Sequence, residues 1–122
     1  MITFPEATET RSWHPVCRLS DLEPGWGEAA LIMDRHGAPV QVALFRLEDD
    51  TVHATSNADP KTGAQVMARG ILGSCGDVPT IASPLHKQTY DLRTGAGVSD
   101  PELSLRIHRV RVNDGTIEVA VD

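Results

Sequence analysis

The chain has 122 residues and a formal net charge of −6, with 40% hydrophobic but only 4% aromatic residues. That length supports one domain, 1–122, with a core of its own that needs no metal or disulfide staple. The 11 Lys and Arg residues are scattered along an acidic chain, which argues against nucleic acid as a partner, and no apolar run approaches the roughly 18 residues a membrane-spanning helix requires.

With aromatics scarce, the core must rest on Val, Leu, Ile and Ala, which favours strands. Residues 1–10 have neither the basic flank nor the apolar stretch of a signal peptide and are expected to be a flexible N-terminus of a soluble, cytoplasmic protein. Trp13 to Leu19 predicts a first strand, followed by a turn-rich connection from Asp21 to Gly27. Ala29 to Met33 predicts a second strand, turned by His36-Gly37-Ala38-Pro39. Val40 to Leu47 and Thr51 to Thr55 form a hairpin around Asp49-Asp50, and Val42 and Leu44 alternate with Gln41 and Ala43 to give one buried face.

From Ser56 to Pro79 the pattern changes: six Gly and Pro residues lie among polar ones with little alternation, as in an inserted, loop-rich subdomain. Thr80 to Ser83 and Thr89 to Leu92 are short strands flanking a loop that holds His86. Leu103, Leu105 and Ile107 alternate with polar residues. Arg109 to Val112 and Thr116 to Val121 then flank Asn113-Asp114-Gly115, a strong hairpin signal. Helical turns are expected only at Asp100-Pro101-Glu102-Leu103 and at Ser20-Asp21-Leu22. Trp13 and Trp26 are expected to cover the core or its edges.

Cys17 and Cys75 form no C-x-x-C pair and are expected to be reduced, Cys75 in an exposed loop. No nucleophile elbow or phosphate-binding glycine loop is present, and Gly95-Ala96-Gly97 lacks the strand-to-helix context of a dinucleotide fingerprint.

Two loops remain, Asn57-Ala58-Asp59-Pro60 and Ser83-Pro84-Leu85-His86-Lys87-Gln88. They sit within a wider pattern of Trp13, Asp21-Leu22, Pro24-Gly25, Ala43-Leu44-Phe45-Arg46, Arg69-Gly70-Ile71, Tyr90-Asp91-Leu92 and Thr94-Gly95, closing with Asp100-Pro101 and Val110-Arg111-Val112. This pattern resembles the small subunit of assimilatory NAD(P)H-dependent nitrite reductase, a Rieske-like family that lacks the iron-sulfur cluster. The resemblance implies an all-β fold, a Rieske-like antiparallel β-sandwich or small barrel, with 56–92 as the degenerate cluster-binding subdomain.

It also places Asn57, Asp59, Ser83 and His86 at the cluster-ligand positions. A Rieske centre needs two Cys thiolates on one iron and two His nitrogens on the other. Three of the four ligands are lost here, so a 2Fe-2S cluster is expected to be absent. Asp59 and His86 alone fall short of the two His and one carboxylate of a non-heme iron site. No catalytic, cofactor-binding or metal site is expected in the chain.

The side chains at these positions are expected to hydrogen-bond one another instead. Arg69 is a candidate fork donor to loop carbonyls or to Asp59. His86 could pair with a backbone group or touch a partner, and Pro84, Leu85, His86, Lys87 and Gln88 form a candidate partner contact. By resemblance the chain is a non-catalytic subunit that supports a large subunit carrying siroheme and FAD and using NAD(P)H, in the reduction of nitrite to ammonium during nitrate assimilation. The alternative is a free-standing, cluster-less Rieske-like module serving another oxidoreductase.

Overall fold

A computed structural model describes residues 13–121, and the expected flexible N-terminus lies outside the described residues. Nine strands and no α-helix occur among them. β1 (Trp13–Arg18), β2 (Trp26–Met33), β3 (Pro39–Arg46) and β4 (Val52–Ser56) come first. β5 (Ile71–Cys75), β6 (Val78–Ala82) and β7 (Thr89–Asp91) follow, and β8 (Ile107–Asn113) and β9 (Thr116–Ala120) close the chain. The larger sheet has the order β1-β9-β8-β4-β3-β2 and the smaller β5-β6-β7, all pairs antiparallel.

The larger sheet curls into an open barrel. Val16 and Cys17 of β1 and Ala30 and Ile32 of β2, at opposite ends of the strand order, pack into one core with Val42, Leu44, Ala54, Ile117, Val119 and Val121. The β8–β9 hairpin closes through Asp114 and Gly115, at φ of 54° and 81°, the doubly left-handed turn that an Asp-Gly pair favours. Asp100 caps a single turn as expected, its carboxylate accepting from the Glu102 N–H at 3.0 Å.

β3 departs from its expected one-sided burial. Val42, Ala43, Leu44 and Phe45 are all 0–1% exposed, because the small sheet lies over the outer face of β3. There Ala43 and Phe45 pack with Met67, Ile81, Tyr90, Leu92 and Leu105 in a second core. A strand covered on both faces reads as a continuous apolar run. Gly27 permits this closeness: a Cβ there would lie 2.5 Å from the Ala68 carbonyl oxygen and 2.6 Å from the Phe45 ring.

Other boundaries shift for physical reasons. β2 begins at Trp26 because its ladder with β3 runs on to Arg46. Cys75 is exposed but ends strand β5, paired with Val78, and is not in a free loop. A 3-10 turn at Met67–Arg69 and strand β5 fill part of the stretch expected to be irregular. Residues 103–106 precede the ladder that starts at Ile107, although Leu105 is buried. Trp13 is half-buried beneath Arg111 and Arg109, at 4.2 and 5.7 Å from its ring centre. Trp26, expected to cover the core, is instead 67% exposed.

Where the two sheets meet at the far end, His53 of β4 lines a groove of about 720 Å³ with Leu47, Leu72 and Pro79. Glu48, Asp49, Asp77 and Arg93 stand around it. Burial pushes the imidazole pKa below its usual 6.5, against the opposing pull of Asp49, the Leu92 backbone and Asp91. Between the folded value and 6.5 the unfolded chain binds more protons than the native one, so stability there rises with pH and falls on acidification. The urea midpoint is expected to drop between about pH 7.5 and about pH 5.5, and His53→Gln to narrow that drop. An identical drop in the variant would remove His53 from the linkage.

Candidate functional site

The two loops lie at the opposite end of the molecule from the His53 groove, because β5 leads away from them to the Gly76-Asp77 turn and β6 leads back. Loop one leaves β4 and closes on itself through the Asp59 N–H to Ala64 C=O bond of 2.8 Å and the Gly63 N–H to Asp59 C=O bond of 2.7 Å. Loop two spans β6 to β7 and closes through Ser83 N–H to Gln88 C=O at 2.8 Å and Lys87 N–H to Ser83 C=O at 3.0 Å.

Inside this end, Asn57, Asp59 and Ser83 are 2%, 1% and 1% exposed. Ser83 Oγ donates to Asp59 Oδ2 at 3.1 Å and joins the loops. Thr62 Oγ1 donates to the same oxygen at 3.2 Å, and the Lys61 N–H donates to Asp59 Oδ1 at 3.0 Å. Asn57 turns elsewhere. Its Nδ2 donates to Gln41 Oε1 at 3.0 Å and its Oδ1 accepts from the Ala68 N–H at 2.8 Å.

Tyr90 Oη is buried nearby with no hydrogen-bond partner among the described residues. Burial and the charge of Asp59 push its pKa up, so the hydroxyl stays protonated.

Of the four sequence-predicted positions, the structure therefore joins Asp59 to Ser83, anchors Asn57 to β3 and to the Met67–Arg69 turn, and leaves His86 in solvent. Pro84, Leu85 and Lys87 are exposed beside it, while Gln88 is half-buried and accepts from Ser99 Oγ at 3.0 Å. The expected Arg69 to Asp59 pairing does not form, since three neutral donors already occupy the carboxylate and the Arg69 side chain is exposed. Thr62 and Gln41 were missed as partners. Thr62 follows Asp59-Pro60-Lys61 in the spacing of a local side-chain turn, whereas nothing in the sequence marks Gln41.

These residues do not fit a 2Fe-2S cluster. The loops hold one imidazole and no thiolate, the cysteines lie on β1 and at the far end of β5, and the oxygen donors are engaged with one another. Among the described residues no three His, Cys, Asp or Glu side chains group as a metal site.

Residues 12–120 match the family model described as a Rieske-like [2Fe-2S] domain. The chain is 35% identical over 108 residues to the nitrite reductase (NADH) small subunit of Salmonella typhimurium, covering 88% of this chain and 95% of that protein. The chain belongs to the Rieske-like nitrite reductase small-subunit family. The NMR structure of the Escherichia coli protein NirD superposes with a TM-score of 0.77 at 33% identity, covering 90% of this chain and 96% of that one.

A stretch making up 11% of the Klebsiella oxytoca nitrite reductase [NAD(P)H] large subunit also matches, at 35% identity over 93% of this chain. Among the described residues no helix is long and apolar enough to cross a membrane.

Removing the Asp59 carboxylate strands three donors, two of them side chains. Asp59→Ala is expected to lower unfolding stability by about 2–4 kcal/mol and Ser83→Ala by about 1 kcal/mol, with the double variant losing less than the sum. Urea denaturation of the four proteins checks this, and strictly additive losses would show that the loops are not coupled through the pair.

Proposed function

We propose that this chain is the non-catalytic small subunit of a cytoplasmic NAD(P)H-dependent nitrite reductase, supporting a large subunit that reduces nitrite to ammonium in nitrate assimilation. The observation that carries the reading is the closed hydrogen-bond set around Asp59 that joins the two loops, in a chain similar along its length to nitrite reductase small subunits. Such an end can hold two loops in place but cannot carry an electron. The chain on this reading binds no 2Fe-2S cluster, and siroheme, FAD and NAD(P)H belong to its partner.

The related stretch within the Klebsiella oxytoca large subunit supports partnership, because one polypeptide there contains both parts. The loop Pro84, Leu85, His86, Lys87 and Gln88, exposed as far as Lys87, is the first candidate for contact, its backbone fixed at both ends by the Ser83 and Gln88 bonds.

Iron and acid-labile sulfide measured on anaerobically purified protein are expected at trace levels only. Stoichiometric iron with sulfide would overturn the cluster-free reading. NAD(P)H-dependent nitrite reduction by the large subunit is expected to rise on adding an equimolar amount of this chain, with co-elution of the two. No rise and no co-elution would favour a cluster-less module that serves another oxidoreductase.

A further inference from the structure

The residues at the degenerate ligand positions hold three cations at one end of an acidic molecule. Lys61 is tied to Asp59 through its N–H, Lys87 is tied to Ser83 through its N–H, and Arg69 follows Ala68, whose N–H is held by Asn57. Asp59 and Ser83 are themselves bonded, so the Lys61 and Lys87 positions share one framework, and Arg69 lies on the adjoining turn that Asn57 holds. None of the three cations makes an ion pair among the described residues, whereas Arg46, Arg93 and Arg111 each do.

Charge is unevenly divided along the chain. Residues 56–90 carry a net charge of +1, which leaves −7 on the remainder. Their two carboxylates are Asp59, which is buried, and Asp77, which lies at the far turn beside Glu48 and Asp49. At the margins of the face, Glu28 and Asp100 make no ion pair with the three cations.

Lys87 marks this end by its backbone, and a groove beside Arg69 leads away from it toward the start of β2. Lys87 sits at φ of 59°, a left-handed backbone that a Lys rarely adopts and a Gly would accept freely. Beside Arg69, a groove of about 500 Å³ is walled by Trp26, Glu28 and Ala29 on one side and Ala68 and Gly70 on the other. The exposed ring of Trp26 there adds an aromatic anchor to the cation, the pairing enriched where protein interfaces hold their binding energy.

The geometry points to a docking face of Lys61, Arg69 and Lys87, anchored by Trp26, that takes an acidic surface of the partner protein. This rests on the small-subunit reading and deepens it by stating what the large subunit presents. Long-range attraction between such faces orients the encounter and weakens as salt screens it.

Binding of the full chain to the purified large subunit, measured at about 50 and about 300 mM NaCl, tests the face. The wild-type affinity is expected to fall about tenfold with salt, and K61E/R69E/K87E to lose about tenfold at low salt and most of its salt dependence. D77K, at the far turn, is expected to bind like the wild type. Lys87→Gly relaxes the backbone, is expected to keep the thermal midpoint, and weakens binding.

If the wild type binds but the triple reversal leaves affinity and salt response unchanged, the cationic face is overturned and the small-subunit reading stands. If the wild type does not bind at either salt concentration, both fall.

Discussion

A carboxylate that is 1% exposed with no cation beside it can persist only if neutral donors satisfy it, and Asp59 meets that condition with donors from both loops. Lys61 N–H and Thr62 Oγ1 come from its own loop, and Ser83 Oγ comes from the other. The same bonds that make the buried charge tolerable therefore latch loop one to loop two. A bound cluster would tie two such loops together by metal ligation. Here the tie is a hydrogen-bond set of ordinary strength, and it fixes the direction in which both loops leave the sheets.

The latch can be modest because the sheets beneath it are joined by apolar packing. β3 contributes Val42 and Leu44 to the barrel core and Ala43 and Phe45 to the core under the small sheet. Each large apolar side chain fully buried there contributes about 1.5–3 kcal/mol, so the inter-sheet contact draws on Phe45, Met67, Ile81, Tyr90, Leu92 and Leu105 without help from a prosthetic group. The glycine at 27 is part of the same arrangement, since any side chain would hold the Met67–Arg69 turn away from Phe45 and with it the Ala68 N–H that holds Asn57. Core packing and loop geometry are thus connected through one short turn.

Most of the barrel was legible because its strands keep local signals: the Asp114-Gly115 turn, the alternation along β9, and the Asp49-Asp50 turn. What was not legible depends on contacts distant in sequence. Ala43 looks like the outward residue of an alternating strand until a second sheet lies over it. β5, reading Ile71-Leu72-Gly73-Ser74-Cys75, has neither alternation nor β-branched enrichment beyond its first residue and becomes a strand through pairing with β6. At the candidate site the two loops were legible from their sequence pattern, but the partners of their side chains were not. Gln41 reaches Asn57 across sixteen residues and Ser83 reaches Asp59 across twenty-four, and neither separation leaves a local trace. The exposure of Trp26 likewise depends on where β2 begins against the Met67–Arg69 turn, which no window of sequence contains.

Buried Asp59 also changes how the surface above it can be charged. Like charges brought together on one rigid end repel one another, and a fixed negative charge beneath them offsets part of that cost while remaining too buried to form an ion pair with them. Lys61 and Lys87 are placed by backbone bonds to Asp59 and Ser83, and their side chains make no ion pair among the described residues. An exposed carboxylate in the same place would draw a lysine into a surface salt bridge and spend the charge locally. Burial of the anion and exposure of the cations are therefore two parts of one arrangement beneath the proposed docking face.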